Sequence, residues 1–133
     1  MALNAKLIIE QREYSVMECE YEFNQSVDVT GRPSDRPRGG VINVVILSPD
    51  DSDLSLHEWM RDKDTTHDGK ILFLVNKDSV DAIKTVRFEE AYCIRLYEYF
   101  NDNNTLPMYT KLSIMAGRIL FGKNDDCLFQ MVD

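Results

Sequence analysis

Residues 15–24, SVMECEYEFN, decide the fold, because apolar and acidic side chains alternate along them. One parity carries Met17, Cys19, Tyr21 and Phe23, and the other carries Glu18, Glu20 and Glu22. A period of two is typical of a β-strand with one buried and one solvated face. The stretch therefore predicts a half-buried strand whose outer face is anionic.

Strand-like segments extend outward from this stretch in both directions. Residues 5–10 form a short apolar run that we expect to pair with it through a turn at 11–13. Residues 41–47, VINVVIL, are apolar on both faces, which predicts a strand covered on both sides. Further strands are expected over 70–75, 80–88, 91–100, 109–116, 118–121 and 127–132. In 91–100 one parity carries Tyr92, Ile94, Leu96 and Phe100, with Glu98 as the exception.

A single segment has a helical signature. Leu56, Trp59 and Met60 fall at i, i+3 and i+4, and the preceding Asp51-Ser52-Asp53 offers N-cap side chains. This predicts one short α-helix over residues 54–61, from about Leu54 to Arg61. One helix among about seven or eight short strands indicates a mainly β protein, either a sandwich or a small barrel.

Length and charge restrict the class of protein. The chain has 133 residues, which indicates one domain, and a net charge of −8, which argues against nucleic acid or anionic lipid as the main partner. Three scattered cysteines favour a reducing compartment. The N-terminus does not resemble a signal peptide and no run is long enough for a membrane helix. We therefore expect a soluble cytoplasmic protein without membrane insertion.

The residue types that carry catalysis do not occur in useful spacings. His57 and His67 have no partner at metal-ligand spacing, and the cysteines have no CxxC pattern. No phosphate-binding glycine loop or nucleophile elbow is present in the sequence. We expect no enzymatic activity, cofactor or metal. The enzymatic alternative is a pair of carboxylates in a pocket, with a raised pKa.

Residues 25–40, QSVDVTGRPSDRPRGG, form a long segment without periodicity. They contain three arginines, two prolines and three glycines in a strongly acidic chain. Connections of this length inside a compact domain are usually functional or disordered. A basic loop with acidic patches elsewhere favours self-association. If the two surfaces lie at opposite ends of the molecule, the contact propagates as a stack.

A family resemblance begins in this loop. The residues that carry it there are Asp28, Gly31, Arg32, Pro33 and Ser34, in the order D-x-x-G-R-P-S, followed by Gly39 and Gly40. Further matching residues are Leu56, Glu58, Trp59 and Met60 in the helix, the element F-E-x-A-Y at 88–92, and the region 112–122. Together they resemble the tube protein family of type VI secretion systems, called Hcp or TssD, in the form common in Bacteroidetes.

The resemblance implies a fold and a function. The fold is a small β-barrel of two packed sheets with one helix and a long extended loop. The subunits would form hexameric rings that stack into a hollow tube, which a sheath drives outward behind a spike protein and which carries small effector proteins. The protein would be made in the cytoplasm and secreted without a cleaved signal, and it would have no enzymatic step.

The resemblance also implies roles for particular residues. The loop over 25–40 would protrude toward the adjacent ring, where its arginines would bridge to carboxylates. Its expected inter-ring residues are Asp28, Gly31, Arg32, Pro33, Ser34, Arg36, Arg38, Gly39 and Gly40. We expect Tyr97, Tyr99 and Phe100 to contribute to ring closure, because such interfaces usually bury aromatic side chains. The alternatives are a tail-tube-like protein of another contractile particle and a monomeric β-barrel that binds a small apolar ligand.

Overall fold

The computed structural model describes residues 4–34, 38–76, 78–79, 81–102 and 108–131. Within them the chain forms eight strands and one helix. The strands are β1 (Asn4–Ile9), β2 (Arg12–Asn24), β3 (Arg38–Leu47), β4 (His67–Leu74), β5 (Ala82–Phe100), β6 (Met108–Met115), β7 (Arg118–Phe121) and β8 (Cys127–Gln130). The helix α1 (Ser55–Arg61) lies between β3 and β4. The prediction of a mainly β protein with one short helix is confirmed.

Hydrogen bonds between the strands form a closed circuit. Following the antiparallel pairs leads from β5 to β4, β1, β2, β3 and β6, and from β6 back to β5. Strand β7 continues the register of β6 along the same edge of β5, since Met115 pairs with Tyr92 and Arg118 pairs with Glu89. Strand β8 pairs with β7. The predicted small β-barrel is therefore confirmed.

The core fills the interior of the barrel. Its fully buried side chains include Leu7, Ile42, Ile71, Phe88 and Ile114, and α1 adds Leu56 and Trp59. At the loop end of β2, aromatic rings from both sides of the barrel meet. Phe23 stacks on Phe129 with ring centroids 3.9 Å apart, and Phe121 packs edge-on against Phe23. Aromatic pairs of this kind add stabilisation beyond the area that they bury.

Strand β2 confirms the alternation that was predicted for it. Cys19, Tyr21 and Phe23 pack against the core, whereas the three glutamates of the opposite parity are exposed. Met17 differs from the prediction, because 44% of it is exposed. The register with β3 shifts between Val16 and Glu18, and this irregularity turns Met17 outward.

Strand β3 is covered on one side only, so the prediction of burial on both faces is wrong for the isolated chain. Ile42, Val44 and Ile46 are buried in the barrel. Val45 is half-buried on the opposite face, and Leu47 is 40% exposed there. Among the described residues, no element packs over that outer face of β3.

Strand β5 replaces two predicted strands. Segments 80–88 and 91–100 were expected to be separate, but one strand runs from Ala82 to Phe100. It bends at Glu90, which has φ +53°, and the Glu90 amide donates to Asp68 Oδ1 at 3.0 Å. Because β4 still pairs with Ala91 and β6 pairs with β5 from Tyr92 onward, the bend does not end the strand.

A second irregularity in β5 changes which side chains face outward. The register with β6 shifts between Cys93 and Arg95. As a result Tyr92 and Ile94 are exposed, while Leu96 packs against the core. The predicted common face of these three residues is therefore wrong, because a bulge interrupts the period of two.

Helix α1 begins at Ser55, one residue later than predicted, and none of the expected residues occupies its N-cap. Leu54 occupies the N-cap position and makes no side-chain cap bond. Instead, Asp53 Oδ1 accepts hydrogen bonds from the Ser55 amide at 3.0 Å and from the Ser55 hydroxyl at 2.6 Å. Arg12 also lies 3.0 Å from Asp53 Oδ1. The start of the helix is thereby tied to the start of β2.

Strand β8 ends at Gln130 rather than at residue 132. The Met131 amide leaves the β7 ladder and donates to the Gly117 carbonyl at 2.8 Å. Val132, the predicted last residue of this strand, lies outside the described residues.

Candidate self-association surfaces

The loop after β2 folds back on itself as a small hairpin. Val27 and Pro33 form an isolated bridge, and the Ser34 amide donates to the Ser26 carbonyl at 2.8 Å. Within this bridge the Asp28 amide donates to the Arg32 carbonyl at 2.8 Å. Residues 26–34 therefore have local structure of their own.

The Asp28 carboxylate holds the tip of this hairpin. Its Oδ1 accepts from the Thr30 hydroxyl at 2.6 Å, the Thr30 amide at 2.9 Å and the Arg32 amide at 3.1 Å. These bonds, led by that of the Thr30 hydroxyl, lower the pKa of Asp28. Gly31 completes the turn with φ +86°, a conformation that favours glycine. Asp28 and Gly31 thus shape the tip of the loop, and both are exposed there.

The side chains that the hairpin presents to solvent are apolar as well as basic. Val29 is fully exposed at 105% relative accessibility, and Val27 is 63% exposed. Arg32, Pro33 and Ser34 are also exposed. Within the part of the chain that the structure describes, Arg32 has no ion-pair partner. The sequence predicts contacts for the arginines of the loop and does not single out Val29, whose exposure depends on the turn around it.

The remaining loop residues have different placements. Arg36 lies outside the described residues. Arg38 and Gly39 are in β3, where they pair with Asn24 and Phe23, so the connection ends at residue 37 rather than at 40. Gly40 has φ +89°, and its carbonyl accepts from the Ala116 amide at 2.8 Å. Gly39 and Gly40 therefore belong to the barrel and form the base of the loop.

The predicted aromatic residues lie together at the C-terminal end of β5. Lys111 Nζ and Arg95 Cζ lie 5.5 and 5.6 Å from the centroid of the Tyr97 ring, within cation–π range. Tyr99 stacks on Tyr109 at 6.5 Å. Phe100 is 64% exposed.

This end of β5 also has an unpaired edge. Residues 92–100 bond to β6 along one edge, while the pairing with β4 on the other edge stops at Ala91. No described strand pairs with the second edge beyond that point. The exposed apolar side chains nearby are Tyr92, Ile94, Tyr97, Tyr99, Phe100 and Met108. Tyr92 and Ile94 were missed as surface residues because the bulge reverses their side.

A groove lies beside α1 at the opposite end of β2 from the loop. Beneath it lie Ile9, Leu56 and Trp59, whose side chains are almost completely buried in the core. Its rim carries the acids Glu10, Glu58, Asp62 and Asp64 and the bases Arg12, Arg61 and Lys63. His67 closes one side, where its Nδ1 lies 3.0 Å from Glu10 Oε1 and its ring packs edge-on against Trp59.

The other chemically reactive side chains of the described residues have structural surroundings. The other histidine, His57, lies 2.7 Å from Glu98 on β5. Burial raises the pKa of the Cys19 and Cys93 thiols to about 11, so both remain protonated at neutral pH. Across the described ranges, no cluster of metal-ligating side chains occurs. No helix in those ranges is long and apolar enough to span a bilayer.

Comparisons with known proteins give a family. The family model for hemolysin coregulated protein Hcp (TssD) matches residues 1–125. The structure of Hcp1 from Flavobacterium johnsoniae is similar with a TM-score of 0.82 and 30% sequence identity, over 96% of this chain and 98% of that chain. A comparison with curated proteins finds no match.

Two more distant structures share the fold. Secreted protein Hcp3 from Pseudomonas aeruginosa has a TM-score of 0.64 at 10% identity, over 99% of this chain and 100% of that chain. A protein of the sheath-tube complex of an extracellular contractile injection system has a TM-score of 0.57 at 14% identity, over 89% of this chain and 87% of that chain. At these identities the likeness extends to the fold alone.

Proposed function

This chain belongs to the Hcp (TssD) family, and on that premise we propose that it closes into hexameric rings which stack into the hollow tube of a type VI secretion system. Its role is that of a tube subunit. The observation that carries the proposal is the match of the family to nearly the whole chain, together with a barrel that leaves one strand edge unpaired.

Ring closure is assigned to the C-terminal half of β5. An unpaired strand edge offers free amide and carbonyl groups to a neighbouring chain. Tyr97, Tyr99 and Phe100 lie on the same half of β5 and add exposed aromatic surface. Interfaces that persist usually bury such side chains at their centre.

Ring stacking is assigned to the loop. Arg32, Arg36 and Arg38 are proposed to bridge to carboxylates of the adjacent ring, and the Asp28 bonds order the tip before contact. Each exposed ion pair contributes about 0–1 kcal/mol and is screened by salt. Repetition around the ring makes such contacts sufficient while they remain reversible.

The remaining partners follow from the same proposal. A sheath would surround the tube, as the name of one structural relative pairs a sheath with a tube, and a spike protein and small effectors would travel with it. The chain would act as one domain over 1–133, be made in the cytoplasm, leave without a cleaved signal and catalyse no reaction. Metal, cofactor, nucleic acid and membrane insertion have no part in this function.

One alternative remains close in structure. A tail-tube-like protein of another contractile particle would share the barrel and the assembly surfaces. The monomeric ligand-binding barrel has less support, because the core side chains of β1, β3, β5 and β6 occupy the interior.

The test is the solution mass of the purified protein, measured by light scattering at low and high salt. We expect hexameric rings that lengthen into stacks at low salt. The double variant Tyr97→Asp with Phe100→Asp should reduce the mass to that of a monomer. Ile83→Asp, on the same strand but away from the unpaired edge, is the matched control. A wild-type monomer at every salt concentration would contradict the proposal.

A further inference from the structure

The outer face of four neighbouring strands carries opposite charges at its two margins. Strands β2, β3, β6 and β5 lie side by side in that order. In one row across them, Glu20 pairs with Asn43, Asn43 pairs with Ser113, and Ser113 pairs with Arg95. Three strand spacings of about 4.8 Å place the backbones at the two ends of this row roughly 14 Å apart. The row therefore has an acid at one end and a base at the other.

A second row lies next to the first and repeats its order of charges. Glu18 pairs with Val45, Val45 pairs with Lys111, and Lys111 pairs with Tyr97. The cations of both rows approach the same ring, since Lys111 Nζ and Arg95 Cζ lie 5.5 and 5.6 Å from the centroid of Tyr97. The eight residues of the two rows form a surface that we call the charged face. Its acids lie at the β2 margin and its bases at the β5–β6 margin.

The middle of the charged face is a hollow with a fixed polar floor. The Ser113 hydroxyl donates to Asn43 Oδ1 at 2.6 Å, and Ser113 is only 9% exposed. Because this bond uses the oxygen of the Asn43 side chain, the NH₂ group of the same amide remains a donor for another partner. Val45 lies beside it and is half-buried. A bound chain would therefore meet an amide donor and an apolar side chain between the two charged margins.

The four charged side chains of this face are exposed and form no ion pair with one another or with any other described residue. Charges elsewhere on the barrel are paired across strands. Arg87 lies 2.9 Å from Asp125, and Arg118 lies 2.8 Å from Glu89. On the charged face the acids and bases are two or three strands apart, which is too far for direct contact. A ligand that brings both opposite charges can satisfy both margins at once.

We propose that the charged face binds an extended peptide segment that crosses the strands, with a basic side chain at the β2 margin and an acidic side chain at the β5–β6 margin. In an extended chain, residues four apart lie on the same side and about 13 Å from each other, which fits the first row. Residues two apart are separated by only about 7 Å and cannot reach both margins. A polyanion would be repelled at one margin and a polycation at the other.

This inference goes beyond the proposed tube function, which assigns no role to these four charged side chains as a group. It does not depend on assembly, because a single chain carries the whole charged face. In a tube every subunit would repeat the face. The repetition would strengthen a contact that is weak in one subunit when a long polypeptide lies against several of them.

Peptides with different charge spacing test the proposal directly. The probe is a short peptide with blocked ends and a neutral fluorophore, in which three threonines separate a lysine from a glutamate. The control has the same composition with only one threonine between the two charges. In fluorescence anisotropy at low salt, we expect the probe to bind about tenfold more tightly than the control and to lose affinity as salt is added. Equal affinities for the two peptides would overturn the proposal.

Charge reversal at one margin should abolish the fit. Arg95→Glu with Lys111→Glu places acids at both margins, so the affinity for the probe should fall by about tenfold. Lys63→Glu with Lys123→Glu is the matched control, because it changes the net charge equally at exposed positions outside the charged face. The control should bind the probe as the wild type does. Equal losses in the two variants would show a general charge effect and contradict the proposal.

Exchange of both margins should restore binding. When Glu18→Lys and Glu20→Lys are added to the first double variant, the acids and bases change places and the net charge returns to that of the wild type. The probe can then lie in the reverse direction, and its affinity should return to within about threefold of the wild-type value. Damage to the fold would not be repaired by two further substitutions. Binding that stays lost would therefore overturn the proposal.

The outcomes separate this inference from the proposed function, since solution mass and peptide binding are measured on the same protein. Rings or tubes that bind no probe, as when a second copy covers the charged face, overturn the inference and leave the tube assignment standing. Selective binding by a chain that stays monomeric at every salt concentration supports the charged face and contradicts ring assembly.

Discussion

Asp53 joins the helix to the barrel through one carboxylate. Its two oxygens accept bonds from Ser55 and from the Tyr14 hydroxyl, and Arg12 lies beside it. Partial burial opposes its charge, but the hydrogen bonds from Ser55 and Tyr14 and the Arg12 charge prevail, and the pKa of Asp53 is lowered. The residue therefore stabilises α1 and one side of the groove together.

Replacement of Asp53 by alanine should destabilise the fold. Loss of hydrogen bonds to a charged group costs about 2 kcal/mol, and we expect the free energy of unfolding to fall by that amount in urea denaturation at pH 7. Asp53→Asn keeps an oxygen that can accept from Ser55 and should lose about half as much. Asp51→Ala, an exposed neighbour, should change stability by less than about 0.5 kcal/mol. Equal losses for the alanine variants would argue against this role.

The loop hairpin shows how an exposed element can be ordered without a core. In place of a buried core, the hairpin is ordered by three hydrogen bonds that the Asp28 carboxylate accepts from Thr30 and Arg32. The residue types could be read from the sequence, since D-x-x-G is typical of a turn. The exposure of the Val29 side chain could not be read from the sequence, because it depends on the bridge between Val27 and Pro33.

The order of the hairpin should depend on pH through Asp28. Because the folded pKa is lowered below the ordinary value of 3.8, the stabilisation is complete above 3.8 and is lost as the pH falls through the lowered pKa. The amide signals of Thr30 and Arg32 should titrate together in NMR spectra over that range. Asp28→Ala should remove their protection from hydrogen exchange and leave the barrel amides protected. Amides that do not respond to either change would contradict this assignment.

Strand β5 shows where sequence periodicity fails at the scale of an element. The alternation in β2 predicted its faces because that strand has a buried side along most of its length. In β5, irregularities at Glu90 and between Cys93 and Arg95 reverse the faces. Such bulges are decided by the neighbouring strands, so the exposed positions of Tyr92 and Ile94 could not be read from their own segment.

At the scale of the whole molecule, closure of the barrel leaves only its outer surface for contacts with other chains. The interior is occupied by core side chains, while the loop, the β5 edge and the groove remain on the surface. The sequence predicts these three surfaces unequally well. Amino-acid composition identifies the loop, and the aromatic residue type identifies Tyr97, Tyr99 and Phe100. The groove has no signal in the sequence, because it forms between α1 and residues near the β1–β2 turn, which are distant along the chain.

Charge reversal in the loop should separate rings from tubes. Arg32→Glu with Arg36→Glu should leave the ring intact and abolish stacking, because the loop would then repel the carboxylates of an acidic neighbour. Electron microscopy and light scattering at low salt measure both states. Lys123→Glu, an exposed charge reversal elsewhere, should leave the stacks unchanged. Normal tubes from the double loop variant would refute the assignment of these arginines.

The residue order alone was enough for the mainly β class, the single helix, the anionic face of β2 and the family resemblance. Each of these depends on local periodicity or on short motifs, and both are formed by residues that are close together in the sequence. The tertiary structure decided the closure of the barrel, the merging of two predicted strands into β5, the unpaired edge beyond Ala91 and the placement of loop and groove at opposite ends. These features depend on which distant strands pair and in what register, and a one-residue shift in that register reverses every face beyond it.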